Sequence, residues 1–354
     1  MSHPPAATRA RQGTTRRYLR ALMPTALWAV LLCPLPCVTA AAATPTSSAT
    51  ISATVTSTAG AGRLLTTTSR YEQTTDTAVL DAQGASDGYA GLAGATILDF
   101  GRPGELAGRV MATVDFGGHV DPLSAVIAAV EAYADGYRRA APGGSSMEVF
   151  IGTNDSCGTD QPCGTGLCGC SYEPASFLAW GKAWGGAVAQ TDSYLTMTAM
   201  LYTAEATAGG ADDAEPAYDP GFTNTYDVLA GYDDSTSLPM ADYGSVDGGP
   251  TDGFWTAEQM YLVTYGLRPD LAFPEIYHPG MAGQWAALSR WAAAHTAAPM
   301  TIAGVLTESP DGYTPEQAYT NLVAALSGNH PGSKQPLPRW SSNITYSTGV
   351  PDGS

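Results

Sequence analysis

Two acids that lie two residues apart, Asp213 and Glu215, follow the short apolar run Ala206–Asp212. Residues at this spacing share one face of an extended strand, so the two carboxylates project on the same side. A carboxyl group beside a second one has a raised pKa and can keep a proton for donation. Cleavage of a glycosidic bond needs such a donor and a second carboxylate, for which Glu275 is a candidate. We therefore predict Glu215 as the general acid/base, Glu275 as the nucleophile or base, and Asp213 as the group that tunes Glu215.

Acids also end or follow most of the other apolar runs, and aromatic residues lie in the adjoining loops, where their rings could stack on sugar faces. The predicted substrate-binding residues are Asp99, Asp242, Glu308, Tyr218, Tyr277 and Trp255. Turn preferences explain part of the aspartates, and a solvated or calcium-binding acid cluster is an open alternative. The prediction includes no metal and no cofactor, since the sequence contains no EF-hand loop, H-E-x-x-H helix or G-x4-G-K-[ST] motif.

Four cysteines are clustered within fourteen residues, and an even set of this kind in an exported protein is typical of disulfides. We predict two disulfides among Cys157, Cys163, Cys168 and Cys170, in any of three pairings. A zinc site is the alternative, but the spacing C-x5-C-x4-C-x-C differs from the usual zinc-binding pairs.

The amino terminus has the layout of a secretory signal. Residues 1–43 contain five arginines and no acid, and the apolar run Ala21–Val38 precedes the small residues Ala41–Ala43. Three prolines interrupt the apolar run, so we expect cleavage and secretion rather than a stable membrane span.

The charge balance restricts the class of partner. The chain has 354 residues, with 16 Lys+Arg against 33 Asp+Glu and a formal net charge of −17. Nucleic acid is disfavoured as a partner because proteins that bind it carry a basic patch. A hydrophobic content of 44% also argues against a disordered acidic protein. We expect a monomer that acts on a polysaccharide or cell-wall glycan.

The acids need a scaffold that brings strand ends together, and residues 91–330 alternate short apolar runs with amphipathic segments. The predicted strands are Thr96–Gly101, Val110–Phe116, Met147–Thr153, Ala206–Asp212, Leu238–Tyr243, Met260–Tyr265, Leu271–Tyr277 and Thr301–Thr307. The count and length favour an α/β fold, a single-domain (β/α)8 TIM-type barrel with its site at the carboxyl ends of the strands. A doubly wound sheet is the alternative.

The predicted organisation has four parts. A signal peptide spans residues 1–43, and a Thr/Ser/Ala-rich spacer and N-terminal lead-in spans 44–90. The barrel spans 91–330, and a flexible tail rich in Pro, Ser and Gly spans 331–354.

The motifs Ile97–Gly101, Gly210–Pro216 and Pro274–Tyr277 resemble, in this order, a group of exported actinobacterial proteins with a glycoside-hydrolase-like barrel. The resemblance covers roughly residues 95–327 and implies the (β/α)8 fold.

The D-x-E pair is similar to the fourth-strand pattern of barrel muramidases and chitinase-like enzymes. Glu215 on a fourth strand with Glu275 on a seventh is similar to the arrangement in the largest clan of retaining barrel glycosidases. These resemblances imply a secreted glycoside hydrolase that acts on a polysaccharide by a two-carboxylate mechanism. A non-catalytic carbohydrate-binding or cell-surface barrel is the alternative.

Overall fold

The computed structural model describes residues 64–106, 110–156, 174–219, 221–247, 254–267, 270–296, 300–327 and 336–347. The strands of these residues are β1 (Leu65–Tyr71), β2 (Gly94–Asp99), β3 (Arg102–Leu106), β4 (Val110–Val114), β5 (Val120–Pro122), β6 (Ser146–Thr153), β7 (Glu205–Asp212), β8 (Met240–Asp242), β9 (Asp270–Ala272), β10 (Gly304–Thr307) and β11 (Trp340–Tyr346). The helices are α1 (Thr77–Tyr89), α2 (Leu123–Ala140), α3 (Pro174–Thr198), α4 (Phe222–Asp233), α5 (Ala257–Tyr261), α6 (Met281–His295) and α7 (Pro315–Ser327). A short π-helical turn, Leu262–Gly266, follows α5. The predicted signal segment and the four cysteines lie outside the described residues.

Eight of the strands form one parallel sheet that closes almost completely into a barrel. Its order is β10-β11-β1-β2-β6-β7-β8-β9, so the first and last strands of the chain are neighbours. Two isolated parallel bridges, Ala272–Ile302 and Glu275–Leu306, connect the β9 edge to the β10 edge. Helices flank this sheet, and the predicted α/β barrel of TIM type is confirmed at the level of this architecture.

The barrel is longer than the predicted range 91–330. β1 and β11 pair in parallel over seven residues, and both lie outside that range. β1 and α1 fall within the predicted spacer and lead-in 44–90, and β11 falls within the predicted tail 331–354. The domain limits are therefore corrected at both ends.

Hydroxyl side chains explain why β1 was interpreted as spacer. Its sequence, LTTTSRY, has no alternation of apolar residues. Inside the barrel, Thr67 and Ser69 are buried and both bond the hydroxyl of Ser342 on β11, with oxygen–oxygen distances of 3.0 and 2.7 Å. Buried polar groups are tolerated where they form hydrogen bonds with one another. Because these partners lie on strands far apart in the sequence, the hydrophobic pattern of β1 alone does not reveal them.

Two of the eight predicted strands are wrong as barrel strands. The run at 110–116 contains β4, which belongs to a separate antiparallel sheet of order β3-β4-β5 inserted between β2 and α2. The run at 260–265 is helical because Met260 and Val263 bury into the core at helical spacing. Glu275 consequently follows the sixth strand of the barrel, not the seventh.

Alternating side chains fill the two sides of the barrel wall. Inward-facing residues such as Ile97, Phe150 and Phe273 form the barrel interior. Outward-facing residues pack with the helices, where Trp184 and Trp285 are 1% and 0% exposed. None of the helices in the described part of the chain combines the length and apolarity that a membrane crossing requires.

Candidate active site

The carboxyl ends of the parallel strands meet at one end of the barrel, which we call the mouth. The side chains at the mouth face the inside of the barrel, because each lies two residues beyond a residue of the barrel interior on the same strand or its extension. The residues at the mouth are Tyr71, Asp99, Asp213, Tyr243, Glu275, Glu308 and Tyr346. Four different strands therefore direct acids to one place.

The three predicted catalytic residues come together. One carboxylate oxygen from each of Asp213, Glu215 and Glu275 lies within 4.8 Å of the other two. Glu275 is 3% exposed, whereas Asp213 and Glu215 are half-buried and reach solvent. We call these three residues the acid triad.

Backbone contacts between neighbouring strand ends fix the acid triad. The amide of Asp213 donates to the carbonyl of Thr153 (2.9 Å), and the amide of Glu275 donates to that of Gly244 (3.1 Å). Gly244 must be glycine, because a Cβ atom there would lie 2.1 Å from the carbonyl oxygen of Ala214. The loops after β7, β8 and β9 are therefore packed directly against one another.

A closed turn holds Glu215. Its amide donates to Oδ2 of Asp219 (2.8 Å), and its carbonyl accepts from the amides of Tyr218 and Asp219 (2.9 Å each). Tyr218 consequently lies beside Glu215, whose charge, after burial, raises the pKa of the tyrosine.

Glu215 is the acid with the clearest capacity to hold a proton. Burial raises its pKa to about 8, and the charges of Asp247, Asp242 and Glu308 act in the same direction. Asp247 contributes most among these charges. Glu215 is therefore mainly protonated at neutral pH.

Glu275 and Asp213 also favour the protonated form, for a similar reason. Burial raises the pKa of Glu275 well above its usual value, and the charge of Glu215 adds to the shift. The hydroxyl of Tyr277 donates a hydrogen bond to Oε1 of Glu275, which opposes the shift. Burial and the charges of both glutamates raise the pKa of Asp213. The triad therefore shares fewer negative charges than it has carboxyl groups.

A second group of acids, which we call the outer acid cluster, lies on the other side of the barrel wall. Its members, Asp155, Asp212, Asp219 and Asp242, are at most 1% exposed. Both carboxylate oxygens of Asp212 are buried without a hydrogen-bond partner, whereas Asp155 interacts with the side chains of Asp219 and Thr225. Burial raises the pKa of Asp242 to about 6, and that of Asp212 rises well above its usual value for the same reason.

Some of the predicted substrate-binding residues lie at the mouth and others lie outside the barrel interior. Tyr218, Tyr277 and Glu308 lie beside the acid triad, and all three are half-buried. Asp99 is fully buried in the mouth wall, where its Oδ1 accepts from the Gly101 amide (2.8 Å) and burial raises its pKa to about 7.

The side chains of Asp242 and Trp255 are buried outside the barrel interior. Asp242 belongs to the outer acid cluster because its side chain alternates outward, next to the inward-facing Ala241. Trp255 is 6% exposed and packs edge-on against Phe222, with 6.1 Å between ring centroids, so its ring is part of the core.

Several residues of the mouth were absent from the prediction. Tyr71 and Tyr346 end β1 and β11, which lay in segments interpreted as spacer and tail. Tyr243 follows β8, and its pKa is raised by burial and then by Asp99 and Asp213. Asp247 lies beyond any predicted strand. Tyr243 ends the predicted run Leu238–Tyr243, so the rule applied to the acids could have found it, whereas Tyr71 and Tyr346 end no predicted run.

The acid triad can support two kinds of chemistry. Two carboxyl groups at this separation can act together as proton donor and nucleophile. Three carboxylate oxygens could instead hold a hard cation such as Ca²⁺, with further ligands from water or substrate. Comparisons with protein-family models, with curated proteins and with solved structures found no match for this chain.

Proposed function

We propose that this protein is an exported, monomeric glycoside hydrolase that cleaves a polysaccharide or cell-wall glycan with retention of configuration. One observation carries the proposal: Glu215 and Glu275 present carboxylate oxygens within 4.8 Å of each other at the barrel mouth, and Glu215 has a pKa of about 8. An acid of this kind can protonate a leaving group at neutral pH.

In the first step, protonated Glu215 donates its proton to the glycosidic oxygen, while ionised Glu275 attacks the anomeric carbon. The bond between that carbon and the leaving oxygen breaks, and a covalent glycosyl ester on Glu275 forms. In the second step, Glu215, now ionised, accepts a proton from water as the water oxygen attacks the same carbon. The ester bond breaks, and both glutamates return to their starting states.

These roles require Glu275 to be ionised while Glu215 keeps its proton, against the burial that raises the pKa of Glu275. Glu275 receives the Tyr277 hydroxyl, which stabilises its ionised form. The charge on Glu215 that raises the pKa of Glu275 is absent as long as Glu215 is protonated. Asp213 is held as a neutral acid by burial and by the two glutamates, so it can donate a hydrogen bond to whichever glutamate is ionised.

The separation of the carboxyl groups favours retention over inversion. Retaining enzymes hold the two groups about 5–5.5 Å apart, whereas inverting enzymes hold them about 6.5–9.5 Å apart to admit a water molecule. The nearest carboxylate oxygens of Glu215 and Glu275 lie within 4.8 Å of each other, which is compatible with the shorter separation. We expect the product first released to have the anomeric configuration of the substrate, as measured by NMR during early turnover.

The test is release of reducing sugar from peptidoglycan, chitin, β-glucans and α-glucans by the wild type. The Glu215→Gln and Glu275→Gln variants should each lose activity by about 10²- to 10⁴-fold. Glu316→Gln, at an exposed position on α7, is the matched control and should keep full activity. Unchanged activity in Glu215→Gln, or binding without turnover in the wild type, would contradict the proposal.

Assays with EDTA and with added CaCl₂ separate the two chemistries of the triad. Direct two-carboxylate catalysis requires no cation, so activity should persist in EDTA. Activity that disappears in EDTA and returns with Ca²⁺ would instead assign the triad to a bound cation.

A further inference from the structure

Three aromatic rings from separate parts of the chain form one cluster at the mouth. Tyr71 ends β1, Tyr346 ends β11, and Phe116 lies between β4 and β5. Ring centroids are 4.8 Å apart for Tyr71 and Phe116, 5.1 Å for Tyr71 and Tyr346, and 5.9 Å for Phe116 and Tyr346. We call this cluster the aromatic platform.

The platform has a rigid base and an open outer surface. Tyr71 is 9% exposed and supports the other two rings from below. The amide of Phe116 donates to the carbonyl of Glu72 (3.0 Å), which ties the inserted antiparallel sheet to the end of β1. Tyr346 is 57% exposed, so its outer surface faces solvent although its backbone belongs to a barrel strand. A rigid, solvent-facing ring can bind a flat apolar ligand surface with little loss of conformational entropy.

The platform is continuous with the acid triad. Tyr71 pairs in register with Asp99 of β2 and faces the barrel interior, as do the residues that precede Asp213 and Glu275. The charges of Glu275, Asp213 and Glu308 add to burial in raising the pKa of Tyr71. Tyr71 therefore lies between Tyr346 and the carboxylates of the acid triad, so a ligand that stacks on Tyr346 would lie close to the triad.

Charge restricts the ligand. The charged groups that shift the pKa values of Asp213, Glu215 and Glu275 are all acids among the described residues. An anionic sugar would be repelled at this mouth. A neutral sugar whose ring substituents are all equatorial presents flat faces of C–H groups, and such a face is complementary to an aromatic ring.

We propose that the aromatic platform is a glycan-binding subsite that stacks one neutral pyranose ring of a β-linked glucan or N-acetylglucosamine polymer beside the acid triad. This inference rests on the proposed function and specifies its substrate class. Tyr346 provides the stacking surface, and Phe116 and Tyr71 hold it in place.

The experiment measures binding in the inactive Glu215→Gln background, by calorimetry with cellohexaose and chitohexaose as probes. Tyr346→Ala should weaken binding of the accepted oligosaccharide about ten-fold, whereas Tyr346→Trp should preserve it. Tyr89→Ala, which removes a tyrosine 82% exposed on α1, is the control and should bind normally. A melting curve for each variant confirms folding, and Tyr346→Phe, which keeps the ring, covers the case in which alanine destabilises β11.

The outcomes separate the subsite from the proposed function. Binding that is the same in the Tyr346→Ala and parent proteins, while hydrolysis still depends on Glu215, would overturn the subsite and leave the function intact. Tighter binding of oligogalacturonate than of the neutral probes would overturn the charge argument. Failure of the parent to bind or hydrolyse any of these sugars would overturn both proposals.

Discussion

The hydroxyl of Tyr277 donates a hydrogen bond to Oε1 of Glu275, two residues earlier in the chain. Glu275 is 3% exposed, so this bond acts on a carboxyl group that water reaches poorly. In such surroundings a hydrogen bond to a charged group stabilises the ionised form more than it would at the surface. Tyr277 therefore acts on the proposed nucleophile as a positioning residue.

Replacement of Tyr277 by phenylalanine tests this role. Without the hydroxyl, the pKa of Glu275 should rise further, so the acidic limb of the kcat/KM profile should move to higher pH. We expect kcat to fall about ten- to a hundred-fold, as for loss of a hydrogen bond to a charged group. A Tyr277→Phe profile that superimposes on that of the wild type would exclude the role, whereas Tyr89→Phe, on the exposed surface of α1, should leave the profile unchanged.

The basic limb of the same profile should report Glu215. Activity should decline above about pH 8 because the general acid loses its proton there. Asp247 is the charge that contributes most to the shift after burial, so Asp247→Asn should lower the pKa of Glu215 and move the basic limb to lower pH. Asparagine suits the position, since Asp247 has a positive φ of 42° that asparagine also tolerates. An unmoved limb in Asp247→Asn would refute this assignment.

Stability should fall as pH rises, because of the buried acids. A carboxyl group whose pKa is raised on folding binds more protons in the native state than in the unfolded state, so its contribution is lost as pH rises through the folded pKa. For Asp242 the window runs from the ordinary value of 3.8 to about 6, and the loss is on the order of 3 kcal/mol. Thermal melts from pH 4 to pH 8 should therefore show a falling Tm.

Asparagine in the outer acid cluster should flatten that dependence. Asp212→Asn and Asp242→Asn each remove a carboxyl group that ionises readily in the unfolded chain but resists ionisation in the buried cluster, so the variants should be more stable than the wild type at pH 8 and similar at pH 4. Glu316→Gln, on the surface of α7, should melt like the wild type at every pH. A Tm of Asp212→Asn that drops with pH as steeply as that of the parent protein would be incompatible with this account.

Trp255 should contribute to stability, not to binding. The ring is 6% exposed and packs against Phe222, so Trp255→Ala should lower the free energy of unfolding by about 3–5 kcal/mol. Denaturant titration measures this change. Below the melting temperature, the affinity of the folded variant for an oligosaccharide should match that of the parent protein. Selective loss of affinity without loss of stability would return Trp255 to the sugar-binding set.

Local patterns predicted the elements that depend on local interactions. The Thr256-x-x-Gln259 pattern is typical of a capping box, and it forms one in the structure, with both reciprocal hydrogen bonds, at the start of α5. The strand ending at Asp212 was also predicted, because its apolar run is bounded by acids. The prediction of a strand at 260–265 is wrong because β-branched and aromatic residues occur in buried helices as well as in strands.

The predicted substrate-binding residues were harder to place, because the pleat of the sheet decides whether a side chain at the end of a strand faces the barrel interior or the surrounding helices. Asp99 and Asp242 both end strands, yet Asp99 alternates with the inward-facing Ile97, whereas Asp242 alternates outward. A shift of one residue exchanges the two sides of a strand. The position of an acid at the end of a run therefore does not by itself place it in the mouth.

By itself, the sequence determined which chemical groups are available and which are on one face. The spacing of Asp213 and Glu215 follows from the pleat of a single strand, as does that of Glu275 and Tyr277 in their extended segment. Only the tertiary structure decided which of these faces meet. β1 and β11 pair although more than 250 residues separate them, and their pairing joins the two ends of the described chain in one sheet and brings Tyr71 beside Tyr346. Such contacts depend on the global packing of strands, and no local pattern encodes them.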